Sequence, residues 1–440
     1  MSLQKMAFLS RYLVVAVCAV CVQYSCAETV SSFESALAKV QNYQTQDQLW
    51  QQGQQVSQLN IQQSRLWQNP SLSLEKSGFG SDQEQEFSIG ISQPLDLFGE
   101  RKLKQRMAQT SNQQIQLQQQ LWQAQSQLIV KFAWSQLLLA QVEQSVYASQ
   151  LTVSKANLDS AQKRYQAGSI ALVDFERAQI EALDVKRLYQ QALLNQQVAE
   201  RQLSNLWGET TAAIQPNKKV VPWPEHSEQV VQRYIAQGWL EKLYALNLQQ
   251  SNNQIENLKV QARPNPTLNV GMNRSKSPDE NNETVLVLGV DVPLNIFNRQ
   301  QYTIPMAQQQ QILLNQQQQQ ELKQQILDIA NGMHQLKGLR SQFDATTEQI
   351  ALASKVHSRT LQGFQAGKLS TTDVQQATTQ LQNLRLGQLQ ILRQAWQSAL
   401  TAEALSIGTS YEEISRSDAH TQLNKNAIAV SQNLINEGAR

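Results

Sequence analysis

Arg164-Tyr165-Gln166-Ala167-Gly168-Ser169-Ile170, followed by Asp174, returns as Gly363-Phe364-Gln365-Ala366-Gly367-Lys368-Leu369, followed by Asp373. The copies stand 199 positions apart, from 164 to 363. Upstream, Gln93-Pro94-Leu95-Asp96-Leu97-Phe98 returns as Val292-Pro293-Leu294-Asn295-Ile296-Phe297, and Asn69-Pro70-Ser71-Leu72 as Asn265-Pro266-Thr267-Leu268. Solenoid units recur every 20 to 50 residues or so, about a quarter of this period at most. The pattern is an internal two-fold sequence repeat, a duplicated half-protein. Two similar halves suit quasi-symmetric assembly around an axis better than one catalytic pocket.

Each copy places the same elements in the same order. From Phe98 to Gln166 there is no proline, and the only glycine, Gly99, stands at the start. That stretch predicts a helix about 100 Å long, at about 1.5 Å per residue, broken by Gly168. A second helix follows from Asp174 to Trp207. Its residues Phe175, Ala178, Ala182, Val185, Tyr189 and Ala192 alternate three and four apart, the seam of a coiled coil. Adding the period gives Val374, Ala377, Leu381, Leu384, Gln388 and Ile391 in a helix expected at about 373–407. Further helices are expected at about 28–68, at 227–261, and at about 299–365 with Pro305 near its start.

The period changes to 2 before each long helix. Leu72 and Leu74, then Phe87, Ile89 and Ile91, alternate with small or polar residues, as do Leu268, Val270 and Met272, then Leu286, Leu288 and Val290. These are β-hairpins with one apolar face. The organisation is therefore a signal peptide at 1–27 and a first repeat at 28–208, with a hairpin at about 70–93 and a tip turn at about 165–174. A linker at 209–226 follows. The second repeat covers 227–408, with a hairpin at about 266–293 and a tip turn at about 364–373. The polar tail, 409–440, is expected to be poorly ordered.

Composition narrows the function. The first 27 residues read as an export signal, with Lys5 and Arg11 before an apolar run and Ser25-Cys26-Ala27 at the cleavage point. A lipoprotein signal acylated at Cys26 is the alternative reading. All three cysteines, Cys18, Cys21 and Cys26, lie in this segment, so cleavage leaves neither disulfide nor thiolate site. Removing Lys5 and Arg11 lowers Lys and Arg from 37 to 35, against 35 Asp and Glu. A neutral chain lacks the basic footprint that nucleic acid requires. No later apolar run is long enough for a transmembrane helix. Charged residues are only 16% of the chain, and glutamine runs such as Gln316 to Gln320 are threaded among Leu, Ala and Ile at helical spacing. No catalytic fingerprint is found, and His226, His334, His357 and His420 are scattered and read as surface residues, so neither enzyme nor cofactor is expected.

Four strands per chain cannot close a barrel, which needs about eight or more. Oligomerisation would remove the open edges, and a hollow helical rod joined to the barrel favours three chains.

The ordered double set of export signal, helix, hairpin, long helix, glycine turn and helix resembles the TolC family of outer-membrane efflux proteins, over roughly residues 30–408. The resemblance implies a mainly α fold with a small β part: a long coiled-coil α-helical barrel and a trimeric twelve-stranded transmembrane β-barrel. It implies a Gram-negative outer-membrane location and partners comprising a homotrimer, a periplasmic adaptor, an inner-membrane RND-type pump and membrane lipid. Arg164 to Gly168 resembles the family's adaptor-contact tip, with Tyr165, Phe364 and Gly367 at matching tip positions; Gly363 stands where the second tip would carry Arg. Asp373 matches an aspartate that narrows the periplasmic entrance, and Asp174 is its counterpart. Some relatives carry a second aspartate where this chain has Gln376, so a single carboxylate ring is implied. The structural alternatives are a left-handed helix cap for the glycines and first-turn or capping roles for the aspartates. Gln93 to Arg101, together with the first tip, looks like the branch paired with cobalt-zinc-cadmium and copper-silver pumps. The alternatives are a multidrug or type I secretion channel, then a periplasmic adaptor or a structural rod.

Overall fold

The computed structural model describes residues 29–43, 46–79, 84–210, 214–216, 221–224, 226–276, 282–366 and 368–438. The segment expected to be a signal peptide, with Cys26, and the tip residue Gly367 lie outside the described residues. The elements are α1 (Phe33–Tyr43), α2 (Gln46–Gln63), β1 (Ser71–Ser77), β2 (Gln85–Pro94), α3 (Glu100–Gln166) and α4 (Leu172–Asn205). The second series is α5 (Ser227–Gln237), α6 (Trp239–Gln261), β3 (Thr267–Lys276), β4 (Glu283–Asp291), α7 (Thr303–Gln365) and α8 (Thr371–Ser406), ending in α9 (Tyr411–Ser415) and α10 (Ala419–Gly438). Among the described residues no helix is long and apolar enough to cross a membrane.

The long helices match the sequence: neither proline nor glycine interrupts α3, and α7 runs on through Gly332 and Gly338. α3 has 67 residues and α7 has 63. Pro305 sits in the first turn of α7, where its missing N–H costs nothing. The helix expected over 227–261 is divided. Gly238 takes φ 60 and ends α5, its N–H bonding the Ile235 carbonyl at 3.0 Å. A glycine inside a helical pattern costs only about 1 kcal/mol and reads ambiguously. Here it forms a left-handed cap.

The chain divides into two compact units. The first draws on residues 1–43, 133–221 and 353–389. It holds both helix tips, and Val30 bridges Ile214 in parallel. The heptad seam of α4 is buried as its spacing requires, at Val185, Ala192, Ala199 and Leu203. In α8, Val374, Ala377 and Leu381 are buried at the matching positions.

The second unit draws on 44–132, 222–352 and 390–440. Its four strands form one antiparallel sheet in the order β1-β2-β3-β4, so the two hairpins join through β2 and β3. Part of the expected linker packs in this unit. The Trp223 ring lies 5.3 Å from that of Phe343, and Pro222 accepts a 3.0 Å hydrogen bond from the Trp396 indole.

The tail departs from the expectation of poor order. Ser410 and Glu413 exchange side-chain and backbone hydrogen bonds at the start of α9, a complete capping box. Leu423 and Ala427 of α10 pack against buried Trp50, Ile115 and Trp122, and the Trp122 indole donates to Asn424 at 3.1 Å. The apolar stripe of a single short helix was hidden in a polar average.

Candidate functional site

The first tip turn is built by its glycine. Gly168 has φ 68, and Ser169 N–H bonds the Arg164 carbonyl at 2.8 Å while Gly168 N–H bonds Tyr165 at 2.9 Å. That is the Schellman closure of a helix. The second tip repeats its long bond: Lys368 N–H reaches the Gly363 carbonyl at 2.9 Å.

The two tips touch. The Arg164 guanidinium lies 4.0 Å from the Phe364 ring centroid, within cation–π range. Tyr165 stacks on Phe175 of the next helix, 5.5 Å apart and 4° from parallel. Gly363 has a reason to lack a side chain. A Cβ there would stand 2.6 Å from Leu369 Cδ1, so a side chain at this position requires Leu369 to move.

The two aspartates act within their own first turns. Asp174 is three residues past the cap residue Ala171, which makes no side-chain capping bond, and it pairs with Arg177 at 3.6 Å. It is a first-turn acid rather than a cap. The Asp373 carboxylate accepts from Ser370 Oγ at 2.7 Å and Ser370 N–H at 2.8 Å, while Ser370 Oγ accepts from Asp373 N–H at 3.2 Å. This is a reciprocal capping arrangement. The Ser370 hydroxyl, then its amide, hold the fully exposed Asp373 carboxyl below the usual carboxylate range, so it is ionised at neutral pH.

The metal-branch stretch also has a local explanation. Asp96 accepts from the amides of Glu100 at 2.7 Å and Arg101 at 3.1 Å, capping the start of α3. The Arg101 guanidinium lies 4.3 Å over Trp67. In the second copy, Asn295 instead donates to the Ala262 carbonyl at 3.0 Å. Among the described residues, no three His, Cys, Asp or Glu side chains converge as a metal ion requires. His226 and His334 are exposed as expected, but His357 and His420 are half-buried. His357 Nε2 lies 3.1 Å from Thr378 Oγ1.

In the second unit, the register gathers the apolar residues of all four strands. Leu72, Ile91, Val270 and Leu288 form one cross-strand row, and Leu74, Ile89, Met272 and Leu286 the next. Leu72, Leu74, Leu286 and Leu288 are 62–76% exposed, which water alone would not favour. The other face carries Ser73, Gly90, Gly271 and Asn273, with Val285 and Val287 on β4. The sequence reading missed one feature of this unit. Glu403 has a side chain only 2% exposed, and both its oxygens lie 2.7 Å from Lys131 Nζ. The signal was a single acid between Ala402 and Ala404.

An open sheet with one exposed apolar face and very long helices with tight tips are the parts of an outer-membrane channel of the helical-conduit class. The chain belongs to the outer membrane efflux protein family, whose profile matches residues 30–209 and 244–408. It is 25% identical over 353 residues to the cobalt-zinc-cadmium resistance protein CzcC of Cupriavidus metallidurans, covering 78% of this chain and 82% of that protein. The solved CusC channel matches with a TM-score of 0.66 at 16% identity, over 89% of this chain and 96% of that one. The CmeC outer membrane channel of Campylobacter jejuni matches with a TM-score of 0.66 at 15% identity, over 94% of each chain. These two structures establish likeness of fold.

Proposed function

We propose that three copies of this chain form a passive conduit through the outer membrane, the exit of a tripartite efflux system exporting heavy-metal cations. The observation that carries this reading is the sheet. Its two apolar rows are exposed at every position but half-buried Ile89, and its outer strands, β1 and β4, are edges within the chain. Three such sheets, β4 of one chain beside β1 of the next, give a closed twelve-stranded barrel with its apolar face to lipid. The helices form the periplasmic tunnel. Arg164, Tyr165, Gly168, Phe364 and Gly367 form tips that meet a periplasmic adaptor, behind which an inner-membrane pump supplies the driving force. The likeness to CzcC supports metal cargo.

Deleting the gene is expected to sensitise cells to cobalt, zinc, cadmium, copper or silver. Sensitivity to dyes and detergents without metal sensitivity would favour the multidrug reading. In cell fractions, a heat-modifiable trimer is expected in outer membranes; a soluble periplasmic product would sink the channel reading.

Asp373 lines the periplasmic constriction in this assembly, with Asp174 secondary. Three ionised carboxylates around the axis favour cations. Asp373→Ala channels in planar bilayers are expected to lose cation selectivity. Unchanged conductance and selectivity would reduce Asp373 to its capping role.

A further inference from the structure

The charged residues of the four strands sort by sign. Alternation along the observed register places Lys76, Arg274 and Lys276 on the apolar face. It places Glu75, Glu86, Glu283 and Asp291 on the opposite face. The basic residues are also confined to one end. The row of Lys76, Phe87, Arg274 and Thr284 directly follows the apolar row of Leu74, Ile89, Met272 and Leu286, toward the hairpin turns. Lys276, opposite Gln85, lies beyond it. Lys76, Arg274 and Lys276 are all exposed. Phe79, at the same end, is 82% exposed and has Lys76 Nζ 5.5 Å from its ring.

This pattern has a direction. The helices leave the sheet at the end away from the hairpin turns, so in the barrel reading the turns face the cell exterior. The apolar rows then meet acyl chains, and the aromatic and basic rows meet the headgroups of the outer leaflet. A lysine or arginine is strongly disfavoured at the mid-plane of the lipid face and tolerated near its edge. Edge protection against aggregation would explain Lys76 on β1, but Arg274 and Lys276 stand on β3, an interior strand. Strand spacing of about 4.8 Å separates the backbones at Lys76 and Arg274 by roughly 10 Å, and Arg274 and Lys276 by roughly 7 Å. Three long cationic side chains at that spacing can converge on phosphate groups lying over the barrel wall.

We propose that Lys76, Arg274 and Lys276 form a binding site for the phosphates of the phosphorylated glycolipid that makes up the outer leaflet. The site rests on the barrel reading above. It fixes each protomer to that lipid by charge, while the acids of the other face keep anions from the lumen side.

The test uses the purified full-length trimer, with bis-phosphorylated lipid A, dephosphorylated lipid A and phosphatidylglycerol vesicles as probes, and lipid retention read by native mass spectrometry. The triple variant K76Q/R274Q/K276Q is expected to hold bis-phosphorylated lipid A on the order of 100-fold more weakly, since each of the three basic residues near an anionic lipid surface contributes roughly fivefold. Dephosphorylated lipid A should bind both proteins alike, and E75Q/E86Q should bind as the wild type does. Equal binding of bis-phosphorylated lipid A by wild type and triple variant overturns the proposal. So does an equal loss with phosphatidylglycerol, which would mean generic anion attraction, or with dephosphorylated lipid A. Heat-modifiable trimers of the triple variant in outer membranes separate the two readings: trimers with unchanged lipid binding remove the site and leave the channel. Absence of wild-type trimers removes both.

Discussion

Leu288→Arg is expected to abolish assembly of the protein in the outer membrane, while Val287→Arg, one residue earlier, is expected to leave it nearly intact. Leu288 is 72% exposed and stands in the cross-strand row of Leu72, Ile91 and Val270. If that face meets acyl chains, an arginine there costs about 2–4 kcal/mol per chain, and a trimer incurs it three times. Val287 points to the other face, where it pairs with Gly271 and is itself 40% exposed. The measurement is the yield of heat-modifiable trimer in outer membranes for each variant. Similar behaviour of the two would remove the sidedness on which the barrel rests.

Lys131→Met is expected to destabilise the second unit by about 3–5 kcal/mol, the usual cost of stranding one member of a buried ion pair. The stranded group is Glu403, whose side chain is 2% exposed, against 26% for Lys131. The lysine also lies 5.9 Å over the Trp396 ring, and that indole is anchored on Pro222. Tyr234 reports the same carboxylate: burial raises its hydroxyl pKa, and the Glu403 charge raises it further. The double variant Lys131→Met/Glu403→Leu is expected to recover most of the loss, because a well-packed apolar pair no longer carries a buried charge. Thermal or denaturant unfolding of the solubilised protein checks both. A single variant within about 1 kcal/mol of wild type would show that the unit relaxes to hydrate Glu403.

The long helices and the hairpins were legible because each follows from local periodicity. Alternation at two residues marked the strands, and the α4 seam at three and four predicted burial at Val185, Ala192 and Ala199. The absence of proline and glycine marked the length of α3. Gly168 as a left-handed cap was legible too, since few residues tolerate positive φ. At the tips, the sequence set Asp174 and Asp373 one period apart but could not assign their bonds. The structure makes one a first-turn acid paired with Arg177 and the other a partner of Ser370.

What the sequence determined by itself is the parts: which segments are helix, which are strand, and which face of each is apolar. Those follow from contacts between residues two to four apart. Only the tertiary structure decided that β2 pairs with β3, bringing Pro94 opposite Thr267 and Gln85 opposite Lys276, and that Arg164 meets Phe364. Only it showed that α10 packs on Trp50 and Trp122, and that Glu403 is buried against Lys131. Each of those depends on which distant surfaces meet when the chain closes. Local spacing carries no record of that choice.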